Sequence, residues 1–175
     1  MALGVISVMG LAWLYVVLRF VRHLPIGRRG RVTAALALLP LAEYYLLVVW
    51  SSGHLSDITW PHAVTVVVGW AFGGFLLLAL LLLARDVLGS VLFLASRPLA
   101  RRWLASARLS MTLGGLALLL ATWGSWQGLK LPEVKRVEIA VPGLPAAFDG
   151  YRIAQLSDLH ATPLLPAAWQ QAVVD

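Results

Sequence analysis

Four stretches of this chain, residues 2–18, 32–50, 63–84 and 109–126, are almost free of charge and fill most of the first 126 residues. An α-helix rises about 1.5 Å per residue, so about 20 apolar residues cross a hydrocarbon core of roughly 30 Å. The pattern predicts four transmembrane helices. Of the 175 residues, 60% are hydrophobic and 13% charged, whereas a soluble domain carries about a quarter charged residues. That excludes a water-soluble domain as the reading of the whole chain.

Charge is divided unevenly. Residues 1–126 hold ten Arg, no Lys and the three acids Glu43, Asp57 and Asp86, while residues 127–175 hold four basic and five acidic residues. The basic excess of the chain, +6 overall, therefore belongs to its apolar part. There, arginines flanking membrane spans explain it and a nucleic-acid partner is not implied. Arg19, Arg22, Arg28, Arg29 and Arg31 follow the first stretch, and Arg85, Arg97, Arg101, Arg102 and Arg108 follow the third. Between the second and third lie only His54, Asp57 and His62. By the positive-inside rule both arginine-bearing connections face the cytoplasm, which places the N-terminus and everything after Trp126 outside. Trp50, Trp60, Trp123 and Trp126 then gather at the outer interface. The first stretch has no basic residue before it and five arginines after it, the reverse of a cleaved signal peptide, so it reads as a retained helix. Zero Cys excludes a disulfide framework, thiol catalysis and thiolate metal ligation.

A shorter apolar run, residues 87–96, lies between Arg85-Asp86 and Arg97. At ten residues it is too short to span; it reads either as a helix lying in the membrane interface or as an extension of the third span. Glu43 is the one ionisable residue well inside a predicted span. Such a residue marks a proton relay or a headgroup contact, or it is held protonated or hydrogen-bonded in the bundle near a kink at Pro40. The second reading is preferred, because no second buried charge is in view. Gly69/Gly73 and Gly124/Gly128 form two G-x-x-x-G patterns that suit close helix packing. His54, Asp57 and His62 share one loop, but their spacing fits no metal-ligand pattern.

Composition changes at Gly128. Residues 134–141, V-K-R-V-E-I-A-V, and 151–156, Y-R-I-A-Q-L, predict two short strands, with turns at Pro142-Gly143 and Asp149-Gly150. Residues 167–174 predict a helix. Strand, loop and helix in this order predict the opening of an α/β domain over residues 127–175, behind a membrane anchor over residues 1–126. The second strand runs into Ser157-Asp158-Leu159-His160. In an extended backbone, residues two apart project to one side, so Asp158 and His160 can converge on one divalent cation.

The run from Val141 to Pro166, with Leu144, Pro145, Phe148, Asp149, Gly150, Arg152 and Ile153 followed by Ser157, Asp158 and His160, resembles the opening of the calcineurin-like metallophosphoesterases. It looks closest to their bacterial membrane-anchored branch. The resemblance covers about forty residues and departs from the family at Ala161-Thr162-Pro163, where Gly is frequent. It implies a four-layer αββα sandwich, incomplete in this chain, and phosphomonoester or phosphodiester hydrolysis at two divalent ions (Mn, Fe, Zn or Ni). It makes Asp158 and His160 the first two metal ligands. The family's later motifs G-D-x-x-D, G-N-H-[DE] and G-H-x-H are not among these residues, so the chain reads as a catalytically incomplete N-terminal portion. Implied partners are the bilayer and a phosphorylated lipid or envelope substrate. The alternative is a non-catalytic four-helix membrane protein that binds lipids or partner helices.

Overall fold

The computed structural model describes residues 2–53, 58, 60–148, 150–155 and 164–174. Among them are seven α-helices: α1 (Ala2–Arg19), α2 (Arg28–Ala42), α3 (Tyr44–Ser52), α4 (His62–Ala95), α5 (Arg97–Ala105), α6 (Ala107–Leu129) and α7 (Ala167–Val174). No β-strand occurs among the described residues.

Among the described residues two helices, α4 and α6, are long and apolar enough to cross a membrane, and there are three such spans if α2 and α3 count as one bent span. The expectation of four is corrected accordingly. Helix α1, with 18 residues, is at the short limit for a span and is not among them. The second expected span is broken: α2 and α3 are bent by 56°. Pro40 lies inside α2 and Glu43, between the two helices, sits at φ −90°, ψ 28°. Proline removes an amide donor and crowds the carbonyl one turn back, which is the usual cause of such a bend.

The bundle is built on an antiparallel seam between α4 and α6. On α4 the buried positions Gly74, Phe75, Leu78, Leu82, Arg85 and Gly89 recur every three or four residues, and on α6 Ser110, Gly114, Ala117 and Ala121 do the same. Large side chains on α4 thus face small ones on α6, which lets the backbones approach without a hydrophobic drive from water. Val16 of α1 and Ala42 of α2 complete the core with Phe75, Leu78, Leu82 and Ala117. Trp13 Nε1 donates to the Ala35 carbonyl oxygen at 2.8 Å, tying α1 to α2.

The close approaches fall at glycines outside the G-x-x-x-G patterns. A Cβ on Gly114 would lie 2.6 Å from the Phe20 ring, and one on Gly89 2.5 Å from Leu104. Nothing lies within 4 Å of the corresponding point at Gly69, Gly73, Gly124 or Gly128.

Helix α4 is continuous through residues 87–95, so of the two readings of that run the extension is the one observed. The chain then turns at Ser96 into α5, which folds back on α4. Trp103 Nε1 donates to the Arg85 carbonyl oxygen at 3.3 Å. A second break at Ser106 starts α6, and the Ser106 hydroxyl accepts the Leu109 N–H at 3.2 Å as an N-cap.

The predicted strands are not formed: residues 134–141 and 151–155 have no regular structure, and residue 156 lies outside the described residues. Val134, Ile139 and Ile153 are 85%, 79% and 83% exposed. A strand exists only by exchanging ladder hydrogen bonds with a neighbour, and no neighbour is present among the described residues. The opening of the αββα sandwich is therefore corrected to irregular chain followed by a helix. Two local expectations do hold. Gly143 takes φ +81° in a turn closed by Leu144 N–H to the Val141 oxygen at 3.3 Å. The predicted helix appears as α7, anchored by Trp169 Nε1 on the Leu129 carbonyl oxygen at 3.0 Å.

Candidate functional site

The densest polar constellation among the described residues lies where the C-terminal end of α1, the middle of α4 and the N-terminal part of α6 meet. Arg85 projects from the buried stripe of α4 and is 2% exposed. Its Nη1 donates to Ser110 Oγ on α6 at 2.8 Å. Its Nε and Nη2 both donate to Asp86 Oδ1, at 3.0 and 2.7 Å. The other carboxylate oxygen, Oδ2, accepts the Tyr15 hydroxyl at 3.0 Å and pairs with Arg19 Nε at 2.8 Å. Tyr15 and Arg19 are four residues apart, hence on one face of α1.

One carboxylate therefore compensates two guanidinium groups and joins three helices. Burying a charge this way is tolerable only when its partners are complete. No buried side-chain nitrogen or oxygen among the described residues lacks a partner. Chemically the cluster is a closed lock. Both Asp86 carboxylate oxygens and the Arg85 guanidinium are engaged within it, while Arg19 stays partly exposed.

Sequence reasoning placed the buried charge elsewhere, at Glu43. That residue is half-buried, at the break between α2 and α3. Its side chain makes no capping bond to α3, and Oε1 lies 3.5 Å from the point a Cβ on Gly10 would occupy. The α2–α3 kink thus presents Glu43 to α1, and the buried ionic pair is in another part of the bundle. A signal for the cluster was in the sequence: Asp86 is the one acid among the arginines of its end of the anchor, and it directly follows Arg85.

The expected metal ligands Asp158 and His160 lie outside the described residues, as do His54 and Asp57 of the loop group. His62 opens α4. Among the described residues no three His, Cys, Asp or Glu side chains come together as a metal site.

Most arginines of the bundle gather at one end and four of the tryptophans at the other. Arg22, Arg28, Arg29, Arg31, Arg97, Arg101, Arg102 and Arg108 are all exposed and belong to the end that holds the ion cluster. Trp50, Trp60, Trp123 and Trp126 belong to the other, where Trp70 Nε1 donates to Thr122 Oγ1 at 3.0 Å across the α4–α6 seam. On that half of α6, Gly115, Leu118, Leu119, Thr122, Trp123 and Trp126 line a shallow apolar groove of about 580 Å³. Comparison with known proteins finds no matching family, no matching curated protein and no matching solved structure.

Proposed function

We propose that the chain is the membrane-anchoring part of a metal-dependent phosphoesterase and contributes Asp158 and His160 as the first two ligands of its metal centre. One observation supports this reading: the order and spacing of Leu144, Pro145, Phe148, Gly150, Arg152, Ile153, Ser157, Asp158 and His160, which resemble the opening of the calcineurin-like metallophosphoesterases. Two divalent ions in such a centre lower the pKa of a bound water and stabilise charge on the phosphoryl oxygens. Two side chains do not hold two ions, so hydrolysis requires ligands from outside these 175 residues. The role of this chain is to fix the site at a membrane. The arginine-rich end suits the cytoplasmic face of a bacterial inner membrane and the tryptophan-rich end the outer face. On that placement the chain after α6 is extracytoplasmic, and the substrate is a phosphorylated lipid or envelope intermediate.

Membranes from cells carrying the complete gene test this with bis-p-nitrophenyl phosphate and Mn²⁺. Asp158→Asn and His160→Ala are expected to lower hydrolysis at least about 100-fold, as loss of a first-sphere group does. Rates equal to the unmodified protein, with equal protein in the membrane, overturn the proposal. The groove on α6 favours a second reading, a non-catalytic helical membrane protein whose exposed apolar face takes lipid or a partner helix. That reading expects Leu119→Gln and Trp123→Gln to impair function while Asp158→Asn leaves it intact.

A further inference from the structure

Beyond Asp86, the last residues of α4 continue for about 14 Å and pair with α5 as an antiparallel helical hairpin at the arginine-rich end of the bundle. The hairpin is firmly built. Leu104 of α5 sits so close to Gly89 of α4 that a Cβ there would lie 2.5 Å away. Ala100 is fully buried in the pairing. Arg97 stacks its guanidinium over the Phe93 ring at 5.4 Å.

Its outer surface is of two kinds. Val87, Val91 and Leu94, at helical spacing on α4, are 53%, 61% and 88% exposed, and Leu99 of α5 is 51% exposed. Arg97, Arg101 and Arg102 are exposed beside them, and no ion pair to any of the three occurs among the described residues. The one acid at this end, Asp86, is already committed to Arg19 and Arg85. Water does not suit the apolar surface, and hydrocarbon does not suit three uncompensated guanidinium groups. A layer that supplies acyl chains and negative charge side by side suits both.

We infer that the α4–α5 hairpin is an interfacial element that binds the anionic lipids of one leaflet. Arg97, Arg101 and Arg102 hold lipid phosphates, and Val87, Val91, Leu94 and Leu99 pack within the headgroup layer around them. The occupant is the charged headgroup layer, and charge complementarity selects it: a basic, acid-free surface calls for anions. The inference is independent of the metal ligands and of which leaflet faces the cytoplasm.

Because the chain contains no Cys, a single Leu94→Cys substitution takes an environment-sensitive fluorophore cleanly. The labelled full chain is reconstituted into nanodiscs containing spin-labelled phosphatidylglycerol or spin-labelled phosphatidylcholine as quencher. Quenching by the anionic lipid is expected to exceed quenching by the zwitterionic lipid several-fold, and Arg97→Gln, Arg101→Gln and Arg102→Gln together are expected to abolish the difference. Each arginine near the surface corresponds to roughly a fivefold preference, so the triple change is ample to detect. Equal quenching by both lipids in the unmodified protein overturns the inference, as does a label that reports water. Self-quenching that falls on dilution with unlabelled protein assigns the surface to a second copy and overturns it too. The arginine substitutions lie on exposed side chains, and circular dichroism of the reconstituted protein verifies that the hairpin persists.

Discussion

Removing Asp86 takes the counter-charge from Arg85, which is 2% exposed, and from Arg19 at once. Leaving a buried guanidinium unpaired costs on the order of 3–5 kcal/mol, so Asp86→Ala is expected to lower the resistance of the detergent-solubilised protein to unfolding by about that amount. Ser110→Ala removes one neutral acceptor of a charged donor and is expected to cost about 1.5–3 kcal/mol. The glycines give a second contrast. Gly114→Ala drives a methyl toward the Phe20 ring and is expected to destabilise by about 1–3 kcal/mol, whereas Gly69→Ala enters open space and is expected to be neutral or slightly stabilising. The opposite order in thermal unfolding would mean that the bundle does not close on Gly114. The sequence held only a partial signal for the first site, the lone acid Asp86 among arginines, and none for the second. The G-x-x-x-G pattern marks small residues but not which of them meets a neighbour, and Arg85-Asp86 reads as an ordinary span boundary until Tyr15 and Arg19 are brought to it by folding.

At the scale of elements, hydropathy located α4 and α6 well, because a run of about 20 apolar residues has few alternatives to a helix in lipid. It did not foresee α5, whose three arginines in nine residues lower its average until it reads as a loop. The kink expected near Pro40 is present, but the sequence did not show that it divides the span into α2 and α3, since a proline bends different spans by different amounts. Pro40→Ala restores an amide donor and is expected to open the 56° bend. Spin labels at Val32→Cys and Trp50→Cys then move from about 24 Å apart to about 27 Å, the spacing of about 18 residues in a straight helix. An unchanged distance would assign the bend to packing of Glu43 against α1. The predicted strands failed for a different reason. Residues 134–141 have the composition of a strand, but strand formation is a property of a pair, and the partner is not among the described residues.

For the molecule as a whole, the uneven charge visible in the sequence became a polarity of structure: arginines at one end of the bundle, and Trp50, Trp60, Trp123 and Trp126 at the other. Arg28→Cys and Gly128→Cys, each the only thiol in its chain, are expected to react with a membrane-impermeant maleimide from opposite sides of the membrane. Labelling of both from one side would dismantle the proposed orientation. The proposed function rests on a resemblance over residues 141–166, part of which lies outside the described residues. The anchor is where physical reasoning carried furthest. The two ends of α4 are held differently. One carries the exposed guanidinium groups of Arg97, Arg101 and Arg102, which hold it at the charged headgroup layer; the other carries tryptophans, which tolerate displacement. A bilayer that thickens or thins therefore shifts the tryptophan end while the arginine end stays at constant depth, and the anchor takes up changes of membrane thickness on one face alone.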